Sequence, residues 1–215
     1  MVNKCPVCES SEFEIRAEYR AEHEMLKGLK RAECNSCGLF FANPMPHKKD
    51  IDAYNSAYFD TAHDGQPQCK VANAFFSAIA KLRVAHLREY LDLNEIKVKS
   101  LLECGPGFGA FARSWFDSAP NSSYYAIETD KSCHSSLKAM GVNVIEKQST
   151  LPDVELDSVV MSHVLEHVAE PSEFISASCV DLKKGGALFI EVPCNDWKHK
   201  LIDEPHLLFF DKKPT

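Results

Sequence analysis

The sequence predicts an α/β fold, a parallel sheet flanked by helices, preceded by a small ribbon held by a metal ion. Three observations carry this expectation. Short apolar runs alternate with helical segments from Val98 onward, a glycine-rich turn sits in Leu101–Phe111 (LLECGPGFGAF), and two Cys-x-x-Cys pairs lie near the N-terminus. Alternation of strands with helices favours parallel pairing, because each crossover needs a covering helix. At 215 residues the chain has room for one ordinary domain and a small appendage.

Residues 1–46 read as the ribbon. Cys5-x-x-Cys8 and Cys34-x-x-Cys37 are two knuckles, each offering two thiolates to one tetrahedral ion, with 25 residues between them. Zinc suits four thiolates, and a site filled by four cysteines is structural. A redox pair would need a strand-turn-helix context that neither knuckle has. A disulfide scaffold is disfavoured because the other five of the nine cysteines, Cys69, Cys104, Cys133, Cys179 and Cys194, are scattered and read as free thiols. The ribbon ends at Gly38–Pro46, a short apolar strand stopped by Pro44 and Pro46. Residues 47–70 form a polar linker in which Tyr54, Tyr58 and Phe59 either pack between modules or line an acceptor pocket.

The larger domain is expected over residues 71–215. Val71, Phe75, Ile79, Leu82 and Leu87 recur at helical spacing, predicting one buried face on a helix from Val71 to Leu91. Strands follow at Val98–Cys104, Tyr124–Glu128, Val142–Glu146, Ser158–Met161 and Ala187–Val192. Helices are expected at Phe108–Phe116, at Lys131–Met140 with Gly141 as its stop, and at Pro171–Leu182 with Pro171 in the first turn. The formal charge of −7 argues against nucleic acid as the main partner, since phosphate binding needs clustered Lys and Arg. No apolar run is long enough to span a bilayer and no signal-peptide core opens the chain, so a cytoplasmic location without membrane contact is expected.

Gly105, Gly107 and Gly109 let the backbone approach a ligand closely between a strand and a helix, with unpaired N–H groups expected at the helix start. Such a turn can also serve packing alone. Nineteen residues after Gly109, Glu128 closes the next strand, where a carboxylate can accept both hydrogen bonds of a ribose diol. No G-x-x-x-x-G-K-[ST] is present, which disfavours a triphosphate cradle. Glu103, at the start of the turn, would repel a pyrophosphate but attract a cation such as the sulfonium and ammonium of S-adenosylmethionine.

With these residues in view, the chain resembles the class I S-adenosylmethionine-dependent methyltransferases. The likeness continues through Asp157–Val168, which contains His163 and the run Leu165-Glu166-His167-Val168, and through Leu182–Pro193 (LKKGGALFIEVP). It implies a Rossmann-like sheet, S-adenosyl-L-methionine bound across Glu103, Gly105, Gly107, Gly109 and Glu128, and catalytic groups near the ends of the fourth and fifth strands of that sheet. The N-terminal pattern C-x-x-C-G-L-F-F-A-N-P-x-P with a following Y-x-x-x-Y-F resembles zinc-ribbon methyltransferases, a group that includes sugar C-methyltransferases. That resemblance implies a small-molecule acceptor such as a nucleotide-linked sugar or natural-product intermediate. It makes His206 and His163 the candidate bases, with His163 also able to reach the cofactor and His167 a scaffold residue. Two departures stand out. A proline separates Glu204 from His206, and the pair that often reads adenine after the third strand is missing, so Gln148 is expected to bind the cofactor there by donating its side-chain amide, the alternative being an exposed loop. An RNA methyltransferase gripping RNA through the ribbon, and a non-catalytic cofactor-binding module, are the alternative readings. The family usually adds further strands after Ala187–Val192, so the sheet is expected to lack its last strands, and the exposed edge suggests a homodimer.

Overall fold

The computed structural model of the chain describes residues 4–58, 70–145, 151 and 154–212. Its strands are β1 (Phe13–Glu18), β2 (Lys30–Cys34), β3 (Phe40–Asn43), β4 (Ser100–Cys104), β5 (Ser123–Ile127), β6 (Asn143–Ile145), β7 (Leu156–Ser162), β8 (Leu182–Glu191) and β9 (Leu208–Phe209). Its α-helices are α1 (Lys48–Ser56), α2 (Lys70–Leu93), α3 (Ala110–Ser118), α4 (His134–Ala139) and α5 (Pro171–Ser178). They divide between two compact units. One comprises Met1–Tyr54, His163–Ser176 and Glu191–Thr215, the other Asn55–Ser162 and Ala177–Ile190. Gln148, Cys69 and Phe59 lie outside the described residues, as does the side chain of Val71. No helix among the described residues is long and apolar enough to cross a membrane.

The second unit holds the expected Rossmann-like sheet, in the order β6-β5-β4-β7-β8. β4 pairs in parallel with both β5 and β7, and β5 pairs in parallel with β6. All five residues of β4 are buried, as a central strand covered on both faces requires. Leu101, Phe111, Trp115, Tyr124, Leu137 and Val160 belong to one core cluster. Burial of each such side chain contributes about 1.5–3 kcal/mol. The one polar atom of Trp115 is satisfied, its indole N–H donating to Ser122 Oγ at 2.8 Å. Asp157, at the start of β7, accepts from the Lys99 and Ser100 amides at 2.6 and 2.9 Å and from Lys183 of β8. These bonds pin β4, β7 and β8 together at one end. β8 has one neighbour among the described residues, so it ends the sheet.

Two expectations need correction here. The buried face of α2 is Ala80, Val84, Leu87 and Leu91, whereas Phe75 and Leu82 are 59% and 64% exposed. The helix carries apolar residues on more than one face, and the stripe containing a small alanine allows the close approach that packing against α3 needs. β8 begins at Leu182 rather than Ala187, and α5 ends at Ser178. Lys183 and Gly186 are drawn against Asp157, so a stretch with weak strand propensity pairs from its start.

The first unit is built on an antiparallel sheet of order β1-β2-β3-β9. β9 comes from the far end of the chain and pairs with β3 through Phe40↔Phe209 and Phe41↔Leu208. Asp203, with a fully buried side chain, accepts from Arg20 N, Nε and Nη2 at 2.9, 3.2 and 2.6 Å and from Arg31 Nη1 at 3.0 Å. Glu204 Oε2 accepts from the amides of Glu22 and His23, while Tyr54 donates its hydroxyl to Oε1 at 3.1 Å. Tyr54 is therefore a packed and bonded residue of this unit, consistent with the packing alternative for that aromatic cluster.

Candidate functional site

Gly105, Gly107 and Gly109 all adopt left-handed backbone conformations between β4 and α3, with φ of 65°, 55° and 78°. The amides of these three glycines are themselves engaged. Gly105 N–H continues the sheet to Ile127 O at 2.8 Å, Gly109 N–H closes a turn on Pro106 O at 3.0 Å, and Gly107 N–H donates to Glu128 Oε2 at 2.8 Å. A Cβ on Gly109 would lie 2.3 Å from Met140 Cε and 2.9 Å from Leu137 Cδ2. That glycine thus lets α3 and α4 approach, a packing role that spacing alone cannot separate from ligand contact.

The junction of Gly107 with Glu128 is the informative feature. Glu128 Oε1 also accepts the Asp130 amide at 2.8 Å, so the carboxylate is fixed beside the turn at the C-terminal end of the parallel sheet. Two such bonds leave lone pairs on both oxygens, which are enough for two vicinal hydroxyls. Burial raises the Glu128 pKa above its ordinary value, partly offset by the two backbone donors. One residue before Cys104, Glu103 is 3% exposed and accepts the Tyr124 hydroxyl at 2.5 Å. Burial pushes it up to about 7, so near neutrality it is poised between the acid and the anion. A cation placed against it would favour the anion. These are groups able to accept from a ribose diol and to face a positive charge.

His163, directly after β7, is a non-glycine residue with φ of 56°. Its backbone amide donates to Glu191 O at 2.9 Å, and its ring lies between Glu166 Oε1 (3.2 Å from Nδ1) and Glu191 Oε1 (3.3 Å from Nε2). His206 is 5% exposed, with Nδ1 2.8 Å from Asp196 Oδ2 and Nε2 3.2 Å from Lys200 Nζ. His167, mostly enclosed, packs against it with ring centroids 5.0 Å apart, and desolvation lowers its pKa to about 4. His167 is therefore a neutral imidazole of the interior. Asp196, a partner of His206, carried no motif that would have marked it in advance. Glu166 stands inside the LEHV run, but only its zero exposure shows that it faces inward.

The four cysteines converge as the spacing predicts, with all four Sγ atoms within 4.8 Å of one another. Cys5 and Cys37 Sγ are 3.6 Å apart, and Cys8 and Cys34 Sγ are 3.4 Å apart. A tetrahedral ion about 2.3 Å from each sulfur would separate the sulfurs by roughly 3.8 Å. The quartet can therefore hold a zinc ion with little movement. Cys104, Cys133, Cys179 and Cys194 are free thiols.

Residues 76–212 match the profile of a methyltransferase domain, and the chain belongs to that family. No curated protein sequence matches it. Among solved structures it is similar to the plantazolicin methyltransferase BpumL in complex with SAH (13% identity, TM-score 0.49, 66% of this chain and 59% of that one). It is also similar to SAM-bound CalS10, an amino pentose methyltransferase from Micromonospora echinaspora (17% identity, TM-score 0.45, 63% and 56%). A third is an S-adenosylmethionine-dependent methyltransferase from Clostridium acetobutylicum (14% identity, TM-score 0.42, 65% and 57%). The chain spans less than two thirds of the length of each. At these identities and scores the likeness carries no argument about substrate.

Proposed function

We propose that the chain is an S-adenosylmethionine-dependent methyltransferase for a small-molecule acceptor, of the sugar or natural-product kind, with a structural zinc ion on Cys5, Cys8, Cys34 and Cys37. The observation that supports it best is the Glu128 carboxylate fixed against the Gly107 amide, in a chain of the methyltransferase-domain family. Glu128 would hold the ribose hydroxyls, Gly105 and Gly107 would allow close approach of the cofactor, and Glu103 would face its positive charge. Bound there, S-adenosylmethionine supplies a methyl group already activated by its sulfonium. The protein's part is to align the acceptor and remove its proton where it carries one. His163 is the more accessible of the two candidate bases, with 43% of its side chain exposed and its ring between two carboxylates. His206 is buried, with its two ring nitrogens facing Asp196 Oδ2 and Lys200 Nζ. The acidic charge, −7, favours a small acceptor over RNA. A screen of nucleotide-linked sugars and hydroxylated natural-product intermediates with methyl-labelled cofactor tests the proposal. Label transfer to at least one of them, lost in Glu128→Ala at low cofactor concentration, is expected; transfer to RNA alone would overturn the acceptor class.

A further inference from the structure

The first unit contains a second group of metal-competent side chains, far in sequence from the cysteines. The ligand atoms of Glu166, His167 and His206 all lie within 4.8 Å of one another. We propose that these three residues form a second metal centre, which takes a divalent first-row transition ion and leaves it an open coordination position.

Glu166 supplies the first argument. Its side chain has no exposure; Oε1 lies 3.2 Å from His163 Nδ1 and 3.9 Å from His167 Nε2. Oε2 is buried with no hydrogen-bond partner among the described residues. Burying a carboxylate oxygen without a partner is costly, and a cation bound within the cluster would remove that cost. The His206 imidazole is held as a ligating ring would be. Ligating histidines usually donate their other ring N–H to a carboxylate or a backbone carbonyl, which fixes the ring and its tautomer. Here His206 Nδ1 faces Asp196 Oδ2 at 2.8 Å, although the approach is too bent for a good hydrogen bond, so the carboxylate orients that ring by charge. His206 Nε2 is thereby the atom presented to an ion.

The fold brings the ligands together from two segments. Glu166 and His167 lie in the 3-10 turn Leu165–His167, and His206 precedes β9. Leu207 N–H donates to Glu166 O at 2.7 Å, so a backbone hydrogen bond ties the segments at the cluster itself. Two imidazoles and one carboxylate suit Zn²⁺, Fe²⁺, Co²⁺ or Mn²⁺, and three protein ligands leave room for an exogenous oxygen donor. This differs from the cysteine quartet, which is closed. Lys200 is the competitor. Its Nζ is 3.2 Å from His206 Nε2 and 3.0 Å from Asp196 Oδ2, on a side chain 44% exposed. It can therefore keep its carboxylate and release the imidazole when an ion arrives.

The test uses the full chain with the cysteine quartet saturated with zinc, titrated with Mn²⁺ and followed by electron paramagnetic resonance and water-proton relaxation. One saturable Mn²⁺ site with enhanced relaxation is expected, the enhancement reporting water at the open position. Glu166→Gln and His206→Gln should each weaken it by roughly tenfold or more. Lys200→Met should tighten it, an effect that a purely structural cluster would not show, and His199→Gln serves as the control. Absence of any ion beyond the cysteine-bound zinc in the wild type would overturn the proposal. So would wild-type affinity in a Glu166→Gln protein with an unchanged circular dichroism spectrum. Should the Glu166 and His206 variants fail to fold, wild-type relaxation and the direction of the Lys200→Met shift still decide it.

Discussion

Gly185 and Gly186 are neighbours in β8, yet an added methyl group should act on them through different physics. Gly185 has φ of +82° and nothing within 4 Å of its ideal Cβ position, so Gly185→Ala meets only backbone strain. That strain is about 1–2 kcal/mol for an L-residue in the left-handed region. At Gly186 the Cβ would lie 2.7 Å from Leu182 Cδ1, 2.9 Å from Asp157 O and 3.0 Å from Lys183 O. The leucine methyl can swing aside, but the two carbonyl oxygens belong to the paired backbone of β7 and β8. Asp157 is further fixed by the Lys99 and Ser100 amides, so moving its carbonyl disturbs the junction of three strands. Overpacking of this kind costs about 1–3 kcal/mol, with immobile backbone placing Gly186→Ala toward the upper end. Both variants recover the same few tenths of a kcal/mol from a stiffer unfolded chain, so their difference is the clash at Gly186 less the backbone strain at Gly185. Urea unfolding of the two proteins, followed by far-ultraviolet circular dichroism, gives that difference. Gly186→Ala should have the lower midpoint at an unchanged slope. A Gly185→Ala protein as unstable as Gly186→Ala, or more so, would refute the reasoning.

Further outcomes are expected elsewhere. Asp203→Ala leaves the Arg31 guanidinium, 14% exposed, without its carboxylate, and should destabilise the first unit by about 3–5 kcal/mol in a thermal or urea melt. Chelation should release the cysteine-bound zinc and unfold the cysteine-bearing ribbon, measured by metal analysis and circular dichroism; a Cys5→Ser/Cys34→Ser protein that also carries Glu166→Gln and still retains stoichiometric zinc would contradict the assignment. Glu103 has a folded pKa raised to about 7, so between the unfolded value of 4.5 and 7 the folded state binds the extra proton. Its contribution to stability is full below pH 4.5 and is lost as pH rises through 7, on the order of 3 kcal/mol, and Glu103→Gln should flatten that stretch of the stability–pH curve.

Much of the fold could be read from local pattern. The five parallel strands, the turn at Gly105–Gly109, Glu128 at the end of β5 and the cysteine quartet all follow from spacing within short windows, where period and turn chemistry are strong signals. The buried face of α2 was not legible because Phe75 and Leu82 advertise one stripe while Ala80 and Val84, smaller and less hydrophobic, form the packed one. The fourth strand of the first unit's sheet was not legible either. Leu208–Phe209 is too short to announce a strand, and its partner Phe40–Phe41 lies almost the whole chain away. The same distance hides Asp203 from Arg20 and Arg31, and Glu204 from Tyr54. Of the site, the groups that close on each other through the backbone near the glycine turn were foreseeable. The pairing of Asp196 with His206, and the inward turn of Glu166, depend on packing that no short-range motif encodes.

Cofactor binding at Glu128, the centre of the proposed function, is open to one direct measurement. Isothermal titration of the wild-type chain and of Glu128→Ala with S-adenosylmethionine should show binding to both, with the variant weaker by about 1.5–3 kcal/mol, the usual worth of hydrogen bonds to a charged group. That is roughly a ten- to hundredfold rise in Kd. Equal affinities in two equally folded proteins, or no binding to the wild type, would contradict it.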